Sequence, residues 1–286
     1  MKSKHIFILF AAVIAFSGYA ANKEIKRIAR PLKTFLLHPL LRETPKTREI
    51  VSLLKVYEAY KNKEPIELRR IGKMNDGGYV TPEIAIQQAD AVLGYGIADD
   101  ISFEEAASTL YNKPSWGFDG TCPALATQHA LCHFVPLCIG NKPSERYATF
   151  DEQLEMFDLK DKKLFIKMDI EGAEYDALPD VLKRSQNITG IVLEIHFWDQ
   201  PTIDKALTLL KMLQEEFLLL HVHGNNMCQD CFVTKNSTGK LTRVLELTYI
   251  NKRYVDDYSI ALDQTHPTPL DMPNSPHLPD VQFLVL

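Results

Sequence analysis

The sequence predicts an α/β protein built on a doubly wound, mostly parallel β-sheet, and three observations lead to this prediction. From residue 90 onward, short apolar runs alternate with stretches whose apolar residues recur at helical spacing. Several of these runs end in glycines or polar residues, as strands do where a ligand binds at the carboxyl edge of an open sheet. The 286 residues are 45% hydrophobic and 24% charged, which is the balance of a globular protein. The alternation of strand-like and helix-like segments from residue 90 onward favours a sheet covered by helices on both faces.

The N-terminus carries a separate apolar segment, Ile6–Ala21. A membrane-spanning helix needs about 20 apolar residues, so this segment is short and suits a signal peptide, with Gly18 and Ala20 as small residues before a cleavage point. The lysines and arginines that follow it outnumber the positive charges before it. This excess favours an uncleaved anchor whose C-terminal side is cytoplasmic. We therefore expect residues 1–21 to be a signal peptide or a membrane anchor, and the protein to be secreted or membrane-anchored.

Four segments are expected along the chain. Residues 22–45 are basic and contain three prolines, which is typical of a tether. Residues 46–265 form the main domain. Residues 266–286 are rich in proline and are predicted to be an irregular tail. The main domain begins with a predicted amphipathic helix over residues 46–62, because Ile50, Leu53, Leu54, Tyr57 and Tyr60 recur at helical spacing.

The remaining elements follow from apolar runs that are bounded by turn residues and from helical periodicity. The predicted strands are Ile66–Ile71, Tyr79–Val80, Ala91–Ile97, Trp116–Phe118, Phe134–Ile139, Leu164–Ile170, Ile191–Phe197, Leu218–Val222 and Val244–Ile250. The predicted helices after the first are Ser102–Leu110, Phe150–Leu159, Ala173–Arg184 and Thr202–Phe217. The last two strands have no long helix between them, so they can pair antiparallel at the sheet edge.

Charge and cysteine content narrow the classes of partner and site. The net charge is -5 and the body of the chain has no dense basic run, which argues against nucleic acid as a partner. Five cysteines at irregular spacing are no disulfide framework. Cys228 and Cys231 have the spacing of a zinc or redox pair, but no second such pair exists. A local disulfide or two loop cysteines are favoured, and no metal site is assigned.

The first strand of the alternating region runs into a glycine turn, Gly94–Asp100. Such a turn lets a ligand approach the backbone, and the following helix offers free amide groups. The acidic residues of the turn count against a dinucleotide, since they would repel a pyrophosphate, and suit a cationic ligand such as a sulfonium. Asp119 ends the next strand, 23 residues after Gly96, where a carboxylate is placed to bind ribose hydroxyls. Together these features favour a nucleoside-containing cofactor over the alternative of capping aspartates in tight turns.

Two carboxylates, Asp169 and Glu171, lie at the end of the strand Leu164–Ile170. Their side chains would leave opposite faces of an ideal strand, but beyond the strand end both can turn toward the ligand. One could hold a cofactor amine or a metal, and the other could orient a substrate.

Histidines lie at the ends of the fifth and sixth strands of this region. His196 is a candidate general base, because imidazole titrates near neutral pH. His221 and His223 precede Asn225 and Asn226 at the next strand end. A single histidine is usually structural, but several polar groups at one sheet edge favour a site. A metal bound by the two histidines of this pair is a weaker alternative, because the ligand spacing is loose.

At this point the chain resembles the FkbM-type S-adenosylmethionine-dependent methyltransferases, and more closely their membrane-anchored methyltransferase-like relatives. The resemblance spans about residues 66–252. It rests on Asn75–Tyr79, Tyr95–Asp100 with Ser102–Glu104, Ile166–Glu174, Leu193–His196, His223–Asn226 and Leu245–Tyr249. The resemblance implies a class I, Rossmann-like fold with a seven-stranded sheet. It places S-adenosylmethionine at the ends of the first two strands of that sheet.

Carried onto this chain, the resemblance implies a cofactor site at Gly94, Gly96, Ala98, Asp119 and Asp169. Asp119 takes the ribose position, and Asp169 lies beside the methionine part of the cofactor. The family's usual second glycine is Ala98 here.

The expected reaction is methyl transfer to an oxygen of a sugar, a glycan or a small metabolite. Asp169, His196 and His223 are the candidate catalytic residues. Two alternatives remain open: a non-catalytic binding protein on the same scaffold, and a nicotinamide-dependent oxidoreductase.

Overall fold

The computed structural model of the protein describes residues 44–122, 125–228, 232–233, 240–262 and 265–284. All described residues belong to one compact unit, Leu40–Leu286. The predicted N-terminal segment 1–21 and almost all of the predicted tether therefore lie outside the described residues. Among the helices that are described, none combines the length and the apolar character needed to cross a membrane.

The described part alternates between strands and helices for most of its length. The helices are α1 (Pro45–Leu53), α2 (Glu83–Gln88), α3 (Ser102–Tyr111), α4 (Phe150–Met156), α5 (Glu174–Leu182) and α6 (Gln200–Glu216). The strands are β1 (Tyr57–Lys61), β2 (Glu64–Pro65), β3 (Leu68–Gly72), β4 (Gly78–Pro82), β5 (Ala91–Tyr95), β6 (Ser115–Phe118), β7 (Cys132–Val135), β8 (Cys138–Ile139), β9 (Tyr147–Ala148), β10 (Leu164–Met168), β11 (Ile188–His196), β12 (Phe217–Gly224), β13 (Phe232–Val233), β14 (Lys240–Leu241), β15 (Val244–Asn251), β16 (Asp257–Ile260), β17 (Thr265–His266) and β18 (Phe283–Leu284).

A seven-stranded sheet organises this unit, with the order β12-β15-β11-β10-β5-β6-β7. The pairs from β11 to β7 are all parallel. Strand β15 runs antiparallel to both of its neighbours, β11 and β12. The predicted mostly parallel α/β sheet with flanking helices is confirmed, and so is the antiparallel pairing of the last two predicted strands at one edge.

Apolar side chains fill both faces of the sheet, as the nearly continuous apolar runs predict. On one face, helices α1, α4, α5 and α6 contribute Ile50, Leu154, Leu178 and Leu210 to the larger core. On the other face, the β3–β4 hairpin with α2 and α3 covers a second group of apolar side chains, which includes Tyr79. The carboxyl ends of the parallel strands are left between these two layers, and the candidate site lies there.

Two predicted elements are wrong in their extent. The first helix stops at Leu53, and Tyr57–Lys61 is a strand that pairs antiparallel with Asp257–Ile260. The helical spacing of the apolar residues was misleading here because the strand's partner lies about 200 residues away in sequence. The predicted strand Phe134–Ile139 is split into β7 and β8, since Pro136 has no N–H to donate within a strand.

Residues 265–284, called the C-terminal segment below, include the described part of the proline-rich tail that was predicted over residues 266–286. This segment packs against the end of the sheet. Its first and last residues pair as β17 and β18. Between them, Asp271 lies 2.7 Å from Nε2 of His221. The side chain of Asn226 donates to the carbonyl oxygens of Ser275 and other residues of the segment. The segment is mostly without regular structure, as predicted, and its hydrogen bonds tie it to β12 and the turn that follows.

Candidate functional site

The ends of strands β5, β6 and β10 meet at the centre of the sheet. The amide of Gly96 donates to the carbonyl of Phe118 over 3.0 Å, and the amide of Asp169 donates to the carbonyl of Tyr95 over 3.0 Å. These bonds extend the parallel pairing just beyond the strand ends. The predicted glycine turn and the predicted carboxylate of Asp169 are therefore adjacent.

Two residues of the glycine turn have a backbone conformation that is strained for any residue with a side chain. Gly96 and Ala98 have φ values of 74° and 47°, in the left-handed region that disfavours side chains. A methyl group added to Gly96 would overlap the carbonyl oxygen of Asp169. Glycine is therefore required at position 96 both for its φ angle and for this close approach.

Asp119 follows the neighbouring strand β6, forms a hydrogen bond with the glycine turn, and is 6% exposed. Its Oδ2 accepts a hydrogen bond from the amide of Ala98 at 2.9 Å. Its Oδ1 accepts from the amide and the hydroxyl of Thr121, at 2.7 and 2.6 Å. A carboxylate offers about four lone-pair positions, so Asp119 can still accept a hydrogen bond from a ligand hydroxyl.

Asp169 lies next to two other ionisable side chains, Glu194 and His196. Each of the three offers one nitrogen or oxygen atom, and these atoms all lie within 4.8 Å of one another. The hydroxyl of Tyr79 donates to Oδ2 of Asp169 over 3.0 Å. The other oxygen, Oδ1, is buried and has no hydrogen-bond partner among the described residues.

Ionisable residues form a row across four strands, called the polar row below: Asp169, Glu194, Glu246 and His223. Met168 pairs with Leu193, so Asp169 and Glu194 are the next neighbours. Glu194 pairs with Glu246, and Glu246 pairs with His223. The row places a line of ionisable groups on one face of the sheet.

His196 is nearly inaccessible to solvent and is surrounded by carboxylates. Its Nδ1 lies 3.0 Å from Oε1 of Glu174. Its Nε2 lies 3.4 Å from Glu194 and 3.8 Å from Glu171. Burial disfavours the charged imidazole, but the hydrogen bonds to Glu174 and Glu194 outweigh it and raise the pKa of His196 well above its ordinary value. The imidazole is therefore held as part of a hydrogen-bonded ion cluster.

His223 is also buried between carboxylates, at the far end of the polar row. Its Nδ1 lies 3.1 Å from Glu246, and its Nε2 lies 3.1 Å from Asp280 of the C-terminal segment. Burial opposes the charged form, but hydrogen bonds to Asp280 and Glu246 raise the pKa of His223 to about 10. Three strand spacings, about 14 Å, separate this residue from Asp169. The structure brings His196, but not His223, into direct contact with the group around Asp169.

Several residues of the site lie within the segments that carry the family resemblance, but the sequence assigned them no role in the site. They are Tyr79, Lys167, Glu174 and Glu246. Lys167 is 5% exposed and donates to the carbonyl of Gly96 over 3.1 Å. A charged residue inside an otherwise apolar strand is the local signal that identifies Lys167 and Glu246. Tyr79 and Glu174 are brought to the site by tertiary packing, which has no local signal in the sequence.

The sequence raised two alternative metal sites, the pair Cys228 and Cys231 and the pair His221 and His223, and the described residues test only the second. Cys231 lies outside the described residues, so its pairing with Cys228 stays a prediction. His221 and His223 bind separate carboxylates, Asp271 and the Glu246–Asp280 pair. Their ring nitrogens do not converge on one point as a histidine pair that holds a metal would.

Glu104 is a buried carboxyl group beneath the glycine turn. It is 0% exposed, and neither carboxylate oxygen has a hydrogen-bond partner among the described residues. A methyl group added to Gly94 would overlap Oε1 of Glu104, so this side chain fills the space that Gly94 leaves. Burial raises the pKa of Glu104 to about 7, although Lys167 acts in the opposite direction.

The variant Glu104→Gln is expected to be more stable than the wild type at pH 8 and similar to it at pH 4. Between the unfolded pKa of 4.5 and the folded pKa of about 7, the folded state binds the extra proton, so stability falls as pH rises through this window. The loss is about 3 kcal/mol, because one pKa unit corresponds to about 1.4 kcal/mol. Urea unfolding at several pH values measures it. Glu145→Gln, at an exposed position, is the control, and equal pH profiles for the wild type and Glu104→Gln would contradict the prediction.

Comparison of the chain with models of known protein families, with curated proteins and with solved structures gives no significant match.

Proposed function

We propose that the protein is an S-adenosylmethionine-dependent methyltransferase with a class I fold, and that it methylates an oxygen of a sugar, a glycan or a small metabolite. The observation that carries the proposal is the meeting of the glycine turn, Asp119 and Asp169 at adjacent strand ends. In open α/β sheets this position binds the ligand. The seven strands of the sheet equal the number that the class I fold requires.

The charges at this edge support a cofactor that carries positive charge. Asp169 has a free oxygen and Glu194 lies beside it, so a sulfonium or an ammonium group would be attracted to this position. Asp119 can accept a hydrogen bond from a ribose hydroxyl, while the turn at Gly96 leaves backbone close to the ligand. A pyrophosphate would be repelled by the same carboxylates, which disfavours a nicotinamide cofactor.

The proposed reaction is an in-line displacement at the methyl carbon. The acceptor oxygen forms a bond to the methyl carbon as the carbon–sulfur bond breaks, and the sulfur keeps the electron pair of that bond. The hydroxyl proton passes to the pair formed by His196 and Glu194, which share a contact of 3.4 Å. His223 is the less suitable acceptor for the proton, because it lies three strand spacings from Asp169.

Calorimetric titration with S-adenosylmethionine, S-adenosylhomocysteine and NAD tests the proposal. We expect saturable binding of the first two and none of NAD. Binding of NAD alone would replace the proposal with an oxidoreductase.

Asp119→Ala is expected to weaken the binding of S-adenosylmethionine by about 1.5–3 kcal/mol, because it removes a charged hydrogen-bond acceptor. The matched control is Asp90→Ala at the opposite end of β5. The carboxylate of Asp90 also accepts a backbone hydrogen bond over 2.9 Å, from Lys163, but it lies away from the site. Equal affinities in both variants, with both folded, would remove Asp119 from the cofactor site.

A second candidate function is a binding protein on the same scaffold that performs no chemistry. The enclosure of His196 and His223 by carboxylates favours it, because neither ring points freely toward an acceptor. Binding of S-adenosylmethionine without methyl transfer to any member of a broad acceptor panel would support this candidate. Secretion or membrane anchoring through residues 1–21 stays a prediction from the sequence.

A further inference from the structure

We propose that Asp169, Glu194 and His196 bind one divalent first-row transition-metal cation. The ligand atoms of these residues lie within 4.8 Å of one another. Nε2 of His196 and Oε1 of Glu194 are 3.4 Å apart. Two ligand atoms in a tetrahedral site, each about 2.1 Å from the cation, are separated by about 3.4 Å. The spacing therefore suits a shared cation with small side-chain adjustments.

Two of the three proposed ligands are oriented by a hydrogen bond to their other polar atom. Nδ1 of His196 contacts Glu174, and Oδ2 of Asp169 accepts from the hydroxyl of Tyr79. Histidines that bind metals usually donate their second ring N–H to a carboxylate in this way. The Glu174 carboxylate also accepts from the backbone amides of Gly172 and His196, so its position is well defined.

Unpartnered oxygens at the same place give the independent indication of a ligand. Glu194 is 5% exposed, yet its Oε2 has no hydrogen-bond partner among the described residues. The same is true of Oδ1 of Asp169. Buried polar atoms are almost always paired. A cation between these two carboxylates would satisfy both oxygens and remove the repulsion between two charges in a poorly polarisable interior.

The surroundings suit the entry of a cation from solvent. The side chain of Glu171 is 66% exposed, and its Oε2 lies 3.8 Å from Nε2 of His196. This carboxylate can attract a cation and supply a further oxygen ligand. A set of one imidazole and two or three carboxylates suits Mn²⁺, Fe²⁺ or Zn²⁺, whereas Ca²⁺ takes oxygen ligands only.

The site would place a positive centre beside the glycine turn, because Asp169 contacts Gly96 directly. A cation there would replace the pair of His196 and Glu194 as the group that activates the acceptor, because it would bind the acceptor oxygen and lower the pKa of its hydroxyl. It would also oppose the attraction of a sulfonium to the same carboxylates. This consequence rests on the proposed function, whereas metal binding itself does not.

The test is titration of the purified full-length protein with Mn²⁺, with free Mn²⁺ followed by electron paramagnetic resonance. We expect one saturable site. Glu194→Gln and His196→Gln should each weaken it by at least about 100-fold, and Glu174→Gln by about 10- to 100-fold, the usual effect of removing a residue that orients a ligand. His223→Gln is the matched control, because this histidine is equally buried and lies between two carboxylates outside the proposed site. It should leave the affinity unchanged.

Several results would overturn the proposal. These are the absence of saturable binding in the folded protein, unchanged affinity in both ligand variants, and loss of binding in His221→Gln alone. The last result would assign the cation to the group of His221, His266 and Asp271, whose ligand atoms are also within 4.8 Å. Thermal unfolding of each variant shows whether it is folded. Binding of S-adenosylmethionine measured without metal keeps the two proposals separate, since either can fail alone.

Discussion

A protein carrying Gly96→Ala is expected to be about 2–5 kcal/mol less stable than the wild type and to lose its proposed cofactor site. A side chain in the left-handed region costs about 1–2 kcal/mol. Overpacking adds about 1–3 kcal/mol, since the new methyl group would overlap the carbonyl oxygen of Asp169. Because the overlap is with backbone, relief requires the end of β5 or β10 to move. Affinity for S-adenosylmethionine should fall at least about tenfold at temperatures where the variant is folded.

Gly140→Ala is the control for this substitution. Its added methyl group would meet the ring of Tyr147 at 3.0 Å, and that side chain is 44% exposed and can shift. We expect a change below about 1 kcal/mol there. Denaturant unfolding of both variants measures the difference. If both lose the same small amount, the close approach of Gly96 to Asp169 is not the constraint described above.

The variant His196→Gln is expected to lower the turnover of methyl transfer by about 100- to 10,000-fold, with affinity for S-adenosylmethionine nearly unchanged. The imidazole contacts Glu194 and lies within the group around Asp169, where the reacting atoms are proposed to meet. Replacing the imidazole keeps the backbone amide of position 196, so Glu174 still accepts hydrogen bonds from that amide and from the amide of Gly172. The variant should therefore fold. Transfer of labelled methyl groups to an acceptor found by screening sugars, glycans and metabolites is the measurement.

His223→Gln is the control that distinguishes a direct role in the reaction from a general effect of removing a buried, charged imidazole. The two histidines have similar burial and similar carboxylate partners, but His223 lies three strands from Asp169. We expect its turnover to change by less than about tenfold, below the range of a true general base. A large loss in His223→Gln beside normal turnover in His196→Gln would transfer the chemical role to the edge of the sheet.

Most of the central sheet could be predicted because most of its strands are apolar runs with local boundaries. Leu164–Met168 is such a run, and all of its residues are buried. Strand Tyr57–Lys61 could not be predicted in the same way, since it is paired with a strand far along the chain. Local periodicity contains no information about such a partner.

The candidate site could likewise be predicted only in part. Gly96, Asp119 and Asp169 follow their strands directly, so the rule for open sheets locates them. The contact between Tyr79 and Asp169 joins residues 90 positions apart and had no local signal. His223 also lies near the end of a strand, but its distance from the centre depends on the strand order, with β15 inserted between β11 and β12. That order is a property of the whole fold.

The C-terminal segment also sets the order in which the protein can be completed during synthesis. The strands of the sheet leave the ribosome first, and domains generally begin to fold as they emerge. His221 and His223, however, reach Asp271 and Asp280 only after that later part of the chain has been made. A nascent chain halted before residue 265 would therefore keep these imidazoles in contact with water or chaperones. The edge of the sheet at β12 would then expose two imidazoles that the finished protein buries.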